Sequence, residues 1–141
     1  MITINPYVYF DGNCEEAFTF YESVFRKEIS HISKYKDVPK AQRHIFQESD
    51  EKVMHVTLPL STETMLNGSD SSLAYKEMVQ QKTFTLIIHS DSKEEVDRLF
   101  GEISQNGQII VPVDMTFWGA YYGHCIDQFG ISWKLTLKSE N

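Results

Sequence analysis

Two histidines are the side chains of this sequence best suited to proton transfer or ligand contact. His55 lies in the segment Val53–Leu60, where polar and apolar residues alternate, and it shares the more polar face with Thr57. His124 follows Gly123, close to several aromatic residues. Imidazole titrates near neutral pH, so either ring can take part in proton transfer. The alternative is structural: a buried His55 satisfied by one neighbour, and a His124 that is exposed or packed.

Aromatic residues lie near His124 in the sequence. Trp118 and Tyr122 can form a wall against a planar ligand, and core packing explains these rings equally well. Asp114 and Thr116 have the character of residues at a cavity rim, with an ordinary solvated loop as the alternative. These side chains therefore indicate a ligand site without fixing its chemistry.

The composition indicates one globular domain. The chain has 141 residues, 41% of them hydrophobic, which is enough for one buried core. A net charge of −7 argues against nucleic-acid binding, which needs clustered Lys and Arg. No apolar run approaches the roughly 20 residues that span a bilayer, and the start of the chain does not resemble a signal peptide. Cys14 and Cys125 form no CxxC pair, which favours free thiols. We therefore expect a cytoplasmic protein without a membrane or nucleic-acid partner.

One pattern occurs twice, at a constant offset of 79 residues. In each copy a strand-like segment is followed by a cap residue with Glu three positions later, Asn13 with Glu16 and Ser92 with Glu95. This spacing is that of the capping box at a helix start. The apolar residues behind the caps recur at helical spacing. They are Ala17, Phe20, Tyr21 and Val24 in the first copy, and Val96, Leu99, Phe100 and Ile103 in the second.

Strand-like segments follow each helix. They are Ile29–Ser33, Val53–Leu60 and Met65–Asn67 in the first copy, and Gln108–Val113, Tyr121–Ile126 and Ser132–Leu137 in the second. In the last segment Trp133 shares an apolar face with Leu135, which predicts a core position for the indole. The loop 35–52 is long enough to cover a neighbouring feature. The sequence thus predicts one α+β domain, 1–141, with module one at about 1–69, a linker at about 70–82 and module two at about 83–141.

Several motifs resemble the PhnB-like branch of the vicinal-oxygen-chelate (glyoxalase/bleomycin-resistance) superfamily. They are Asn5–Tyr7, Phe10–Ala17, Phe20–Tyr21, Lys52–His55, Leu66–Asp70, Asp114–Gly119, Gly123 and Asp127–Trp133. The resemblance covers essentially the whole chain. It implies two βαβββ modules that form curved mixed sheets around a cavity, with each helix on the convex side. It also implies a homodimer, since the superfamily commonly covers its edge strands by pairing subunits.

The sequence departs from the metal centre that the superfamily's enzymes use. Those enzymes bind a divalent ion through His and Glu of the first and last strands of the modules. Here the first strand offers Ile4–Pro6, the strand that opens module two offers Thr83–Phe84, and Asn67 and Lys134 stand where carboxylates are expected. A protonated lysine has no lone pair and repels a cation. We therefore expect no cofactor, and no divalent metal of the ordinary kind.

The leading functional hypothesis is a protein that binds a small organic ligand in an aromatic cavity; whether it is also an enzyme stays open. The alternative is a metal-dependent lyase, isomerase or dioxygenase in which His55 or His124 holds the metal, with Asp114 as a further ligand if the three converge. A ubiquinone-type methyltransferase, a name used in the PhnB-like branch, is disfavoured because no Gly-rich loop connects a strand to a helix. The candidate ligand-binding residues are His55, Asn67, Asp114, Thr116, Trp118, Tyr122 and His124.

Overall fold

The computed structural model describes residues 1–45, 48–79 and 83–138. The chain divides into two compact units, Met1–Lys82 and Thr83–Asn141. The first unit contains β1 (Tyr7–Phe10), α1 (Cys14–Phe25), β2 (His31–Lys34), β3 (Val53–Pro59), β4 (Met65–Asp70) and α2 (Ser72–Val79). The second contains β5 (Leu86–Ser90), α3 (Lys93–Ile103), β6 (Gln108–Met115), β7 (Tyr121–Ile126) and β8 (Ser132–Leu137). Among the described residues, no helix is long and apolar enough to cross a bilayer.

Each unit carries one four-stranded mixed sheet, and the strand order is the same in both. The order is β1-β4-β3-β2 in the first sheet and β5-β8-β7-β6 in the second. In each sheet the first strand of the module is parallel to the last, and the other neighbours are antiparallel. This repeated order confirms the predicted α+β class and the two βαβββ modules.

In the first unit α1 packs on one face of its sheet. The aromatic residue Phe18 is fully buried there and meets Phe10 of β1 edge-on, with ring centroids 6.3 Å apart. A Cβ at Gly68 of β4 would lie 2.6 Å from the Phe18 ring, so only glycine lets the helix lie this close. The buried residues of this core are Val8, Phe10, Ala17, Phe18, Tyr21, Val24, Val56, Leu58 and Leu66.

In the second unit α3 covers the corresponding face. Trp133 is only 2% exposed, and its neighbour across the strands, Cys125, is fully buried on the same face. Phe100 of α3 lies against Gly123, where an added Cβ would be 2.8 Å from the ring. The predicted core position of Trp133 is confirmed.

The two helix starts are built differently. Ser92 caps α3 as predicted, because its side chain accepts a hydrogen bond from the Glu95 amide at 3.2 Å. Asn13 is the N-cap residue of α1 as predicted, but its side chain makes no capping hydrogen bond, so the predicted capping box is not formed. Asp70, at the end of β4, takes that place: its Oδ1 accepts from the amides of Gly12 at 2.8 Å and Cys14 at 3.0 Å.

The loop after β2 contains two short 3₁₀ helices, Tyr35–Asp37 and Lys40–Ile45, and its positions 46–47 lie outside the described residues. Its far end is attached to the predicted linker. Glu48 accepts from the backbone N–H of Ser72 at 2.8 Å and pairs with Lys52 at 3.0 Å. The predicted linker is therefore more than a polar connection, because most of it forms α2, whose first residue, Ser72, makes this contact with Glu48. Residues 80–82 of the linker lie outside the described part of the chain.

Candidate functional site

The face of the first sheet turned away from α1 carries polar side chains. Strand alternation sends Val8 and Phe10 towards the helix and leaves Tyr7 and Tyr9 on the opposite side. The strand register then fixes the other members of this face. We call it the first polar face, and its residues are Tyr7, Tyr9, His31, Ser33, His55, Thr57, Asn67 and Ser69.

Four of these side chains form a continuous hydrogen-bonded chain, the His55 chain. The Tyr7 hydroxyl lies 3.4 Å from His55 Nδ1, and His55 Nε2 lies 2.9 Å from Thr57 Oγ1. Thr57 in turn donates its hydroxyl proton to Asn67 Oδ1 at 2.8 Å. Because the single proton of Thr57 goes to Asn67, Thr57 must accept from a protonated Nε2. The Nδ1 of a neutral His55 therefore keeps its lone pair and faces Tyr7.

The orientation of Asn67 follows from its backbone neighbours. Its amide nitrogen lies 3.4 Å from the carbonyl oxygens of both Pro6 and Met65. Carbonyl oxygens can only accept, so the NH₂ group must face them and the amide oxygen must face Thr57. Asn67, a predicted ligand-binding residue, thus fixes the tautomer of His55, the other predicted residue of this unit.

The surroundings of His55 favour its neutral form. Burial lowers the pKa of His55 below the ordinary value, and the nearby His31, whose ring centroid is 5.9 Å away, lowers it further. Burial also raises the pKa of Tyr7, which keeps its hydroxyl protonated. At neutral pH the pair is therefore a phenol beside an unprotonated imidazole nitrogen.

The face of the second sheet turned away from α3 also carries polar groups. His124 Nε2 lies 2.8 Å from Ser132 Oγ, which lies 2.8 Å from Thr85 Oγ1. Lys134 is the cross-strand partner of His124. Burial lowers the pKa of His124, and the Lys134 charge lowers it further. We call this the second polar face, and its polar and aromatic residues are Thr85, His89, Asp114, Tyr122, His124, Ser132, Lys134 and Thr136.

Aromatic rings adjoin this second polar face. Lys134 Nζ lies 5.7 Å from the centroid of the Tyr122 ring. Trp118, from the loop between β6 and β7, lies 6.3 Å from Tyr122, measured between ring centroids, and is 61% exposed. The predicted ligand-binding residues Trp118 and Tyr122 therefore lie together, and Tyr122 lies beside the ammonium group of Lys134. In the sequence, Lys134 stands out only because it occupies the place of an expected metal ligand.

Two predicted residues make local contacts of their own. Asp114 is the cross-strand partner of Tyr122, and its carboxylate accepts from the Met115 amide at 2.7 Å. The Thr116 hydroxyl donates to the Ala120 carbonyl at 2.8 Å and accepts from the Ala120 amide at 3.0 Å, which closes the turn before β7. The Thr116 side chain thus has a turn-forming role.

The residues present do not fit the divalent metal of the superfamily's enzymes. Among the described residues, no three His, Cys, Asp or Glu side chains are grouped as metal ligands would be. His124 also faces the ammonium group of Lys134, which opposes a cation. No chemical step is therefore assigned to a metal.

The sequence does not predict Tyr7, Ser132 or Thr85 as site residues. A signal was available for Tyr7, because alternation within Tyr7–Phe10 separates the tyrosines from Val8 and Phe10. No local pattern predicts Ser132 and Thr85, because their contact depends on the parallel pairing of β5 with β8.

Comparison with known proteins gives consistent results along the whole chain. The family model described as 3-demethylubiquinone-9 3-methyltransferase matches residues 2–136. Protein YjdN of Escherichia coli (strain K12) is 26% identical over 141 residues, which cover 95% of this chain and 94% of that protein. The crystal structure of protein PA1353 from Pseudomonas aeruginosa is 28% identical, with a TM-score of 0.80 and 98% of each chain covered.

Two further structures support the assignment. A putative 3-demethylubiquinone-9 3-methyltransferase, PhnB protein, from Bacillus cereus is 28% identical, with a TM-score of 0.75, and the match covers 97% of this chain and 100% of that one. A glyoxalase/bleomycin resistance protein/dioxygenase family enzyme from Burkholderia phytofirmans PsJN has the same fold at 18% identity, with a TM-score of 0.57 and coverage of 96% and 95%. The chain belongs to the family described as 3-demethylubiquinone-9 3-methyltransferase, and it has the fold of a glyoxalase/bleomycin resistance protein/dioxygenase family enzyme.

Proposed function

We propose that this protein binds a small organic molecule on the first polar face. The observation that carries the proposal is the His55 chain, in which three neighbouring side chains hold the imidazole and fix its tautomer. Hydrogen-bonding groups held in this way are preorganised for a ligand. Ser33 adds a second sign, because its hydroxyl oxygen is buried and has no hydrogen-bond partner within the described residues.

The groups on this face indicate the kind of ligand. His55 Nδ1 accepts a hydrogen bond, the Tyr7 hydroxyl can donate or accept one, and neither group is charged at neutral pH. The rings of Tyr7 and Tyr9 lie 5.1 Å apart between centroids and offer an aromatic surface. An uncharged planar molecule with a hydroxyl or carbonyl group suits this arrangement.

The residues of the first polar face supply one chemical step, the acceptance of a proton by His55 Nδ1. The methyltransferase wording in the family description is a label and assigns no activity to this chain. We therefore propose ligand binding as the function, with proton acceptance as the reaction that the site could add to it.

Salicylamide, an uncharged planar compound with adjacent hydroxyl and amide groups, tests the proposal in a titration followed by amide NMR. We expect shifts centred on the strands that carry Tyr7, His55 and Asn67. Replacing His55 by alanine should weaken binding by about tenfold, because a held hydrogen-bond acceptor is lost. His89→Ala, at an exposed position of β5, is the matched control and should bind normally. Shifts elsewhere, or equal binding by His55→Ala, would contradict the proposal.

Binding at this site should depend on pH in a defined direction. The folded pKa of His55 lies below the ordinary value of about 6.5, so the acceptor nitrogen stays unprotonated through neutral pH. Affinity for salicylamide, which is uncharged at neutral pH, should hold near neutral pH and fall once the pH drops through the folded pKa of His55. The free energy of unfolding should also fall on acidification. Because the pKa of His55 is lower in the folded chain than in the unfolded chain, the unfolded chain binds the proton at a higher pH and is thereby favoured. Titration of the His55 ring resonances checks this, and a midpoint at or above the ordinary value would contradict it.

We propose in addition that the protein is a cytoplasmic homodimer. The edge strand β6 supports dimerisation, because Ile109, Ile110 and Val111 are 51%, 44% and 38% exposed in succession. An exposed apolar edge strand invites pairing with a second chain. Cys14 and Cys125 are buried free thiols, which suits a reducing compartment.

Sedimentation at micromolar concentration measures the assembly. We expect a species of twice the 16.4 kDa chain mass. Ile110→Lys should shift it to the monomer, because a charge on an edge strand opposes pairing. Leu73→Lys, at a 72% exposed position of α2, should leave the dimer intact. A monomer from the unaltered chain would contradict the proposal.

A further inference from the structure

We propose that the second polar face binds the oxyanion of an aromatic acid, with Lys134 as the residue that contacts the charge. The inference rests only on residues of the second unit and is independent of the proposed site at His55. The proposed function concerns the first polar face only and names no ligand for the second.

Lys134 lacks the carboxylate partner that several other lysines of the described chain have. The chain has 20 acidic residues against 13 basic ones, so carboxylates are in excess. Lys34, Lys36, Lys52 and Lys93 all lie within 3.5 Å of a carboxylate oxygen. Lys134 is partly buried on β8 and forms no ion pair in the part of the chain that the structure describes. A bound anion would supply the counter-charge that this ammonium group lacks among the described residues.

Polar side chains surround that ammonium group. Ser132 and Thr136 stand two residues before and after Lys134 on the same face of the strand; the Thr136 hydroxyl donates to the Tyr121 carbonyl, and the Ser132 hydroxyl lies against His124 and Thr85. His124 lies directly across from Lys134. The lowered pKa of His124 disfavours its charged form, and Lys134 is the one lysine or arginine among the residues of the second polar face. Because Asp114, across from Tyr122, is a carboxylate on the same face, a small monoanion suits this face better than a polyanion.

An aromatic surface lies beside the Lys134 ammonium group. Tyr122 lies within 5.7 Å of Lys134 Nζ, and Trp118 extends the aromatic surface from Tyr122. The Trp118 ring is 61% exposed although it is large and apolar. The Tyr122 ring next to the ammonium group, extended by the exposed indole of Trp118, can hold a planar apolar body while the lysine holds its charged end. A simple aromatic carboxylate has both parts.

The test compares benzoate with two probes that each lack one feature. Benzamide keeps the ring without the charge, and cyclohexanecarboxylate keeps the charge without the aromatic ring. We expect benzoate to shift the Trp118 indole resonance and the amides of β7 and β8. The other two should bind more weakly, benzamide by about tenfold, because a charge-assisted hydrogen bond is lost. Phenylphosphonate is a fourth probe: equal binding supports a general oxyanion site, and weaker binding supports a carboxylate site.

Variants test the role of Lys134 itself. Lys134→Met should weaken benzoate by about tenfold, and Lys134→Arg should retain most of the affinity. Lys138→Met removes an exposed charge just beyond the same strand and should change affinity by less than about twofold. Equal affinity of the unaltered protein for benzoate and benzamide would overturn the inference. So would equal benzoate binding by Lys134→Met and Lys138→Met. Salicylamide binding by the same samples reports separately on the site at His55.

Discussion

We expect Asp70→Ala to lower the free energy of unfolding by at least about 2 kcal/mol, because it leaves the buried amides of Cys14 and Val53 without an acceptor at about 1–3 kcal/mol each. The Asp70 carboxylate is 1% exposed. Its Oδ1 accepts from the amides of Gly12 and Cys14, and its Oδ2 accepts from the Val53 amide at 2.9 Å. Alanine removes every one of these acceptors at once. Urea denaturation at neutral pH measures the change.

Two controls make this prediction specific. Asp70→Asn keeps one side-chain oxygen but places an NH₂ group towards a donor, so its loss should be smaller than that of Asp70→Ala but still clear. Asp91→Ala removes an exposed carboxylate and should stay within about 0.5 kcal/mol of the unaltered chain. Equal stability of Asp70→Ala and Asp91→Ala would show that the buried carboxylate does not organise the first unit.

We expect Trp133→Ala to cost about 3–5 kcal/mol, the range for removing a large buried aromatic side chain. The indole is 2% exposed on the face that α3 covers. Its Nε1 also donates to Asp127 Oδ2 at 2.9 Å, so truncation leaves a buried carboxylate with one partner fewer. Thermal and urea unfolding monitored by far-UV circular dichroism measure the loss.

Trp133→Phe separates the two contributions. Phenylalanine fills much of the space but cannot donate to Asp127, so we expect a loss of about 1–3 kcal/mol. Trp118→Phe alters the exposed indole and should leave stability within about 0.5 kcal/mol. A loss below about 1 kcal/mol for Trp133→Ala would contradict the core position of the ring.

Most of the second module can be predicted from local sequence. The segments Tyr121–Ile126 and Ser132–Leu137 are strands with the predicted bounds, because apolar and polar residues alternate or β-branched and aromatic residues concentrate there. α3 begins after Ser92 as its capping box predicts. In each case the information that fixes the element lies within the element or one residue beyond it.

The errors in the first module have non-local causes. Asn13 has the sequence of a cap, yet the acceptor comes from Asp70, 56 residues from Cys14. β4 extends to Asp70, past the predicted end at Asn67, because Gly68–Asp70 pair with β1. α2 lacks a buried face among its residues, so hydrophobic periodicity does not reveal it.

The residues of the two polar faces likewise divide into those that local sequence predicts and those whose contacts depend on strand pairing. Strand alternation predicts that His55 lies on a polar face, and its position confirms this. The contact with Tyr7 cannot be predicted from local sequence, because it depends on β4 lying between β1 and β3. Lys134 is recognisable in the sequence as a departure from the metal pattern, but its position beside Tyr122 depends on the pairing of β7 with β8.

The buried aspartates have a consequence for the order in which the two modules fold. Asp127 accepts from the amides of Phe129 and Ile131 and from the Trp133 indole, all within six residues along the chain. Asp70 reaches Gly12 across 58 residues. A short loop closes with a small entropic penalty, whereas a long one must wait until the intervening strands bring its ends together. The turn at Asp127 can therefore form early in folding, while the contacts of Asp70 form only when the first sheet is nearly complete.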